Sequence, residues 1–167
     1  MELNNLFKIQ DIMENKIKKM SSISENSIGE ENLFDVKFLA LQTKLGELAN
    51  LTKCYKYSMI DYEIPKEKLI IRYMDTLKFL LSIGNNYNFN IIDNTVIDSI
   101  NHEESLIKLF SNIFDNISSL KSALKQDNFI DGINLYIQIF SDFVSIGEIL
   151  GLSFDELYDT YLKCSFF

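Results

Sequence analysis

Apolar residues return every three or four positions along most of this chain. From Leu6 to about Lys18 the set Leu6, Ile9, Ile12, Met13 and Ile17 falls on one face of a helix. Ser21 to Glu31, rich in Ser, Glu and Gly, reads as a loop. A longer stripe of Phe38, Leu41, Leu45, Leu48 and Thr52 predicts a helix from Asn32 or Leu33 to about Tyr57. After a linker around Met59 to Ile64, Pro65 suits the first turn of a helix. That helix is predicted over Lys66 to Ile83, with Leu69, Ile70, Tyr73, Leu77, Leu80 and Leu81 apolar and Gly84 as its C-terminal cap. Asn85 to Ile100 mixes Asn and Asp with β-branched Ile91, Ile92, Val96 and Ile97, which predicts an irregular or briefly extended segment. Helical periodicity then resumes over Glu103 to Lys125, Phe129 to Leu150 and Phe154 to Lys163. Ser153 and Glu156 form a capping box before the last of these, and Gly151 separates the last two.

Composition sharpens the fold class. One proline and six glycines supply too few turns for an all-β sandwich. The expected architecture is all-α, a bundle of about four core helices with short additional ones, in one domain spanning residues 1–167. A hydrophobic share of 47%, with 13 Phe and 8 Tyr, excludes a disordered chain. Phe110, Phe114, Phe129, Tyr136, Phe140 and Phe143 are expected in the core or at a dimer interface.

A formal charge of −8 repels phosphate backbones and anionic lipids, which argues against nucleic acid and membrane surfaces as partners. It tolerates a nucleotide only where something cationic intervenes locally. Asp131 and Asp142 interrupt the most apolar stretch, so no uncharged run reaches the roughly 18 residues of a membrane span. Two cysteines make no disulfide framework, and Met1 to Asn5 lacks the basic and apolar regions of a signal peptide, so a cytoplasmic location is expected. Cys54 reads as a small buried hydrophobe, and His102, the lone histidine, supplies neither a zinc set nor a base for a cysteine nucleophile. There is no phosphate loop or dinucleotide fingerprint.

The polar positions that draw attention lie on the second and third helices, Lys44 and Glu47 on one, Arg72 and Asp75 on the other, each pair spaced i, i+3. The segment from Phe38 to Tyr57 and the segment from Ile71 to Gly84 resemble the two metal-binding helices of dimeric dUTPases, within the all-α NTP pyrophosphatase group. Leu6 to Gln10 with Met13-Glu14 is similar to that family's first helix, and Leu150 to Lys163 to its last. The resemblance implies an all-α homodimer that hydrolyses a deoxyuridine nucleotide to dUMP and pyrophosphate. It further implies Mg²⁺ held by a Glu-x-x-Glu pair facing a Glu-x-x-Asp pair, and a first-helix Gln, here Gln10, at the base. Lys56 joins Gln10 as a candidate nucleotide contact.

This chain departs from that pattern. Lys44 stands where the first Glu is expected and Arg72 where the third is, leaving Glu47 and Asp75 as remnants of the catalytic and metal set. Replacing two carboxylates by two cations shifts the local charge by about four units and opposes a dication. Salt bridges of Lys44 with Asp75 and Arg72 with Glu47 are expected in the metal's position, inside the bundle. Leu51 stands where the family often has another Glu and Ser58 near its Trp. After Cys164-Ser165-Phe166-Phe167 the family's Lys-Asn-containing tail is expected to be missing. The resulting expectation is a pseudoenzyme, a nucleotide-binding or regulatory relative with no cofactor. The alternative is an active Mg²⁺-dependent diphosphatase using Glu47 and Asp75. Blander readings stand beside these. Charges at i, i+3 are commonplace on solvated faces, Gln10 can be a polar residue on an amphipathic helix, and Lys53 and Lys56 can answer the helix dipole.

Overall fold

The computed structural model describes residues 3–20, 29–57, 63–98 and 105–165, and among these every regular element is a helix. The elements are α1 (Leu3–Met20), α2 (Glu30–Thr52), α3 (Lys66–Asn86), α4 (Asn94–Asp98), α5 (Leu106–Lys125), α6 (Phe129–Ile149) and α7 (Phe154–Ser165). Helices α2, α3, α5 and α6 form the bundle, α2 against α3 and α5 against α6, with further contacts of α2 on α5 and α3 on α6. Helix α3 also carries α1 and α7, while α4 rests on α6.

The long apolar stripes face the core they create. Phe38, Leu41, Leu45 and Leu48 of α2 are buried against Leu69, Tyr73, Leu77, Leu80 and Leu81 of α3, and Leu109, Ile113, Ile117 and Leu120 of α5 complete the packing. Burial of such side chains contributes about 1.5–3 kcal/mol each and is what holds the helices together. The first helix bears out part of the expected stripe, with Leu6 buried and Ile9 and Met13 packed partly buried against the core. Its buried face is Leu3, Leu6, Phe7 and Gln10, whereas Ile12 and Ile17 are exposed at 67% and 61%.

Three boundaries differ from the sequence expectation. Helix α2 ends at Thr52 because Lys53 adopts the left-handed conformation, φ 56°, and the turn is tied by Lys53 and Tyr55 to the Asn50 side chain. Gly84 lies within α3 and caps nothing. A Cβ there would meet the Tyr136 hydroxyl and sit 2.7 Å from Phe7 Cε1, so the glycine is a close-approach point of α1, α3 and α6. The segment expected to be irregular or extended holds the short helix α4, opened by Asp93, whose carboxylate accepts from the backbone N–H of Val96 and the hydroxyl of Thr95. Residues 99–104, with His102, and 58–62, with most of the linker and Ser58, lie outside the described residues.

Helix α6 is, among the described residues, the one helix long and apolar enough to cross a membrane by length and composition. Its apolar face is the core of this bundle, with Tyr136, Ile139, Phe140, Phe143 and Ile146 buried beside Asp142. Of the aromatics expected in the core, Phe110, Tyr136, Phe140 and Phe143 are buried and Phe114 is partly so. Phe129 is 48% exposed.

Candidate functional site

Helices α2 and α3 run antiparallel, with Lys37 opposite Ser82, Lys44 opposite Asp75 and Glu47 opposite Arg72. A step of seven residues and then one of three on each helix keep these positions on one furrow, the first about 10 Å and the second about 5 Å along it. Beneath them, Leu41, Leu45 and Leu48 of α2 and Tyr73, Leu77 and Leu80 of α3 fix the register, so the polar pairs meet without choice of partner.

At one end of the furrow lies a four-membered ion cluster. Arg72 Nη1 is 2.9 Å from Glu47 Oε2 and 3.7 Å from Asp75 Oδ2. Lys44 Nζ is 3.1 Å from the same Glu47 oxygen and 3.9 Å from Asp75 Oδ2. One glutamate oxygen therefore faces both cations closely, and the aspartate closes the ring at longer range. Lys44 pairs more tightly along its own helix than across to Asp75. The side chains are 29–43% exposed, so the cluster sits in a surface furrow and not in the sealed interior that the sequence suggests. Exposed pairs contribute about 0.2–1 kcal/mol apiece, which makes charge neutrality, more than stability, the consequence of the arrangement.

The other end holds a polar chain that runs from buried Tyr161 and Gln10 to partly exposed Glu14 and Lys37. Tyr161 of α7 donates its hydroxyl to Gln10 Oε1 at 2.5 Å, and Gln10 Nε2 donates to Glu14 Oε1 at 2.7 Å. Glu14 Oε2 lies 3.6 Å from Lys37 Nζ, which in turn donates to Ser82 Oγ at 3.1 Å. Gln10 is 6% exposed and Tyr161 fully buried. Desolvation, and after it the charge of Glu14, pushes the phenol's pKa up, so the hydroxyl remains a donor. Lys37, Ser82 and Tyr161 were given no site role by the sequence reading, and Glu14 entered it only as part of the first-helix resemblance. The available signal was spacing, since Gln10 and Glu14 stand i, i+4 and Lys37 precedes Lys44 by one heptad on the same face.

Lys56 is exposed in the turn after α2, its backbone N–H bonded to the Lys53 carbonyl, and the structure does not bring it into the furrow clusters. Cys54 is half-buried against the core, and Leu51 partly so. The side chain of Cys164 and residues 166–167 lie outside what is described.

Whether this furrow suits Mg²⁺ follows from its donors. The ion needs near-octahedral oxygen ligands at about 2.0–2.1 Å, with carboxylates supplying charge. Here the nearest oxygens of Glu47 and Asp75 are shared by an ammonium and a guanidinium, and a dication among them would face two fixed positive charges within a few ångströms. The residues present do not fit the ion. Among the described residues, no three of His, Cys, Asp and Glu gather closely enough to hold a metal.

No curated protein and no solved structure matches this chain. A family model described as dUTPase matches residues 2–165, which takes in both clusters of the furrow and the seven helices of the described residues. The chain belongs to the dUTPase family.

Proposed function

We propose that this chain is a dUTPase-family protein whose metal site has been replaced by an internal ion cluster. It serves as a non-catalytic homodimer in the cytoplasm that binds a deoxyuridine nucleotide or a protein partner in a regulatory role. The observation that carries the reading is the single Glu47 oxygen held by Arg72 at 2.9 Å and Lys44 at 3.1 Å. A carboxylate so engaged is balanced already, and the pair of cations takes over the neutralising task that a metal performs in the family pattern. Glu47 and Asp75 are then remnants of catalytic and metal positions, Lys44 and Arg72 the metal-replacing cations, and Gln10 with Lys56 the candidate nucleotide contacts. No cofactor is required.

The family match and the retention of both Glu47 and Asp75 support a second reading, an active dUTP diphosphatase with a rearranged, Mg²⁺-assisted ligand set. The two readings part on one assay. Under the first, purified protein releases no pyrophosphate from dUTP above background with Mg²⁺ present, and any thermal stabilisation by dUMP is equal in Mg²⁺ and in EDTA. Turnover that needs Mg²⁺ and disappears in Glu47→Ala establishes the second and removes the first.

A further inference from the structure

The ion cluster has the make-up of an oxyanion site filled from within. Arg72 Nη1 and Lys44 Nζ, from two helices, meet one carboxylate oxygen, Glu47 Oε2, at 2.9 and 3.1 Å. A guanidinium and an ammonium that converge on one oxygen receive a phosphoryl group by the same charge-assisted contacts that they give a carboxylate. The Glu47 side chain is 36% exposed and both cations reach the surface beside it, so the carboxylate can turn to water without opening the core. Asp75 meets the cations with one oxygen at 3.7 and 3.9 Å and stays as their weaker counter-ion. With Glu47 turned away, Lys44 and Arg72 against Asp75 leave one net positive charge at the surface of the furrow.

A third cation stands beyond them. Lys68 precedes Arg72 by one turn on the same side of α3. The register that sets Lys44 against Asp75 and Glu47 against Arg72 sets Lys68 against Leu51, which carries no charge. Lys68 is exposed and makes no hydrogen bond or ion pair among the described residues. Four residues of helix place it about 6 Å along the axis from Arg72. In a chain of net charge −8, this end of the furrow thus gathers three cations around one close carboxylate.

We propose that Glu47 is an internal placeholder, and that Lys44, Arg72 and Lys68 bind a polyphosphate directly, with no metal, when Glu47 turns out. The inference rests on the reading of the cluster as a replacement for the metal, and it names the ligand chemistry of that site. The polyphosphate is free or is the tail of a nucleotide. A tethered carboxylate competes at high effective concentration, so the wild type binds weakly. Removing the Glu47 charge then tightens binding, the opposite of what losing a metal ligand does.

The test is calorimetric titration of the full chain with inorganic phosphate, pyrophosphate and dUTP, all in EDTA. Glu47→Gln should bind pyrophosphate about fivefold more tightly than wild type, the worth of one exposed ion pair. Asp75→Asn adds the same charge but frees no close contact, and should gain less. Arg72→Gln should lose most of the binding, and Lys68→Gln should weaken pyrophosphate while leaving phosphate unchanged. Added salt should weaken every affinity. No pyrophosphate binding to wild type or Glu47→Gln, no gain in Glu47→Gln, or an equal gain in Asp75→Asn overturns the placeholder. Equal affinity for pyrophosphate and dUTP supports it with the free anion as ligand, and tighter dUTP, strengthened again by Glu47→Gln, supports it with a nucleotide. Failure of the metal-replacement reading has a different signature, since binding then needs Mg²⁺ and Glu47→Gln abolishes it.

Discussion

At the scale of single residues, the furrow is decided by Lys44 and Arg72. Each stands across the furrow from a carboxylate and one helical turn from another, so Glu47 and Asp75 are balanced from two directions. Lys44→Glu together with Arg72→Glu turns this neutral ring into four carboxylates within reach of one another. Their mutual repulsion should destabilise the metal-free protein, and Mg²⁺ should restore the loss by binding where the cations stood. Calorimetric titration of the double variant should therefore show Mg²⁺ binding absent from the wild type, with a melting temperature that rises on adding the ion. A double variant that binds no Mg²⁺ would show that these four positions do not converge as a ligand set. The identities of these four residues were legible because they depart from a recognisable pattern at i, i+3. Their exposure was not, because amphipathic spacing cannot tell a furrow floor from its rim. Gly84 misled for a related reason. A glycine near the end of an apolar stripe reads as a cap, and only the approach of Tyr136 and Phe7 reveals it as a contact point.

At the scale of elements, the sequence was most informative where one helix face packs along its whole length. The stripes of α2 and α3 map onto buried positions apart from Thr52 and Ile70, which are partly buried, and the Ser153–Glu156 box forms as its spacing suggests. The first helix was read only in part, since Leu6, Ile9 and Met13 meet the core as expected while polar Gln10 is buried and Ile12 is exposed. No local rule foretells this, since the partner that satisfies Gln10 lies 151 residues away in α7. Between elements, α2 and α5 are joined by Asp35, 2.7 Å from Lys121 and 3.7 Å from Lys125, while Lys125 also lies over the Phe34 ring. The hydrogen bond from Lys121 holds the Asp35 carboxyl below its ordinary pKa of 3.8. A depressed folded-state pKa gives stability that is present above the unfolded value and lost as pH falls through the folded one. Urea unfolding should thus find wild type more stable than Asp35→Asn near neutrality, with the difference shrinking once pH drops below about 4. A difference that persists undiminished in acid would assign the effect to packing and not to charge.

At the scale of the whole molecule, two features pull in opposite directions. The chain carries a formal charge of −8, so two copies repel. It also leaves Val36 and Leu39 one turn apart on α2 exposed at 48% and 63%, with Ile12 and Ile71 exposed as well, apolar area that a second copy could cover. If the proposed homodimer forms, apolar burial must outweigh that repulsion, and salt then acts with a definite sign. Screening over about 8–10 Å near physiological ionic strength weakens the repulsion and leaves the apolar term intact. Sedimentation equilibrium should return twice the chain mass of 19.4 kDa, with a dissociation constant that falls as salt is added. Unfolding coupled to dissociation should also make the melting temperature climb with protein concentration. A single-chain mass at every concentration, with a melting temperature independent of it, would show that the exposed residues of α1, α2 and α3 remain in water and that the furrow works within one chain.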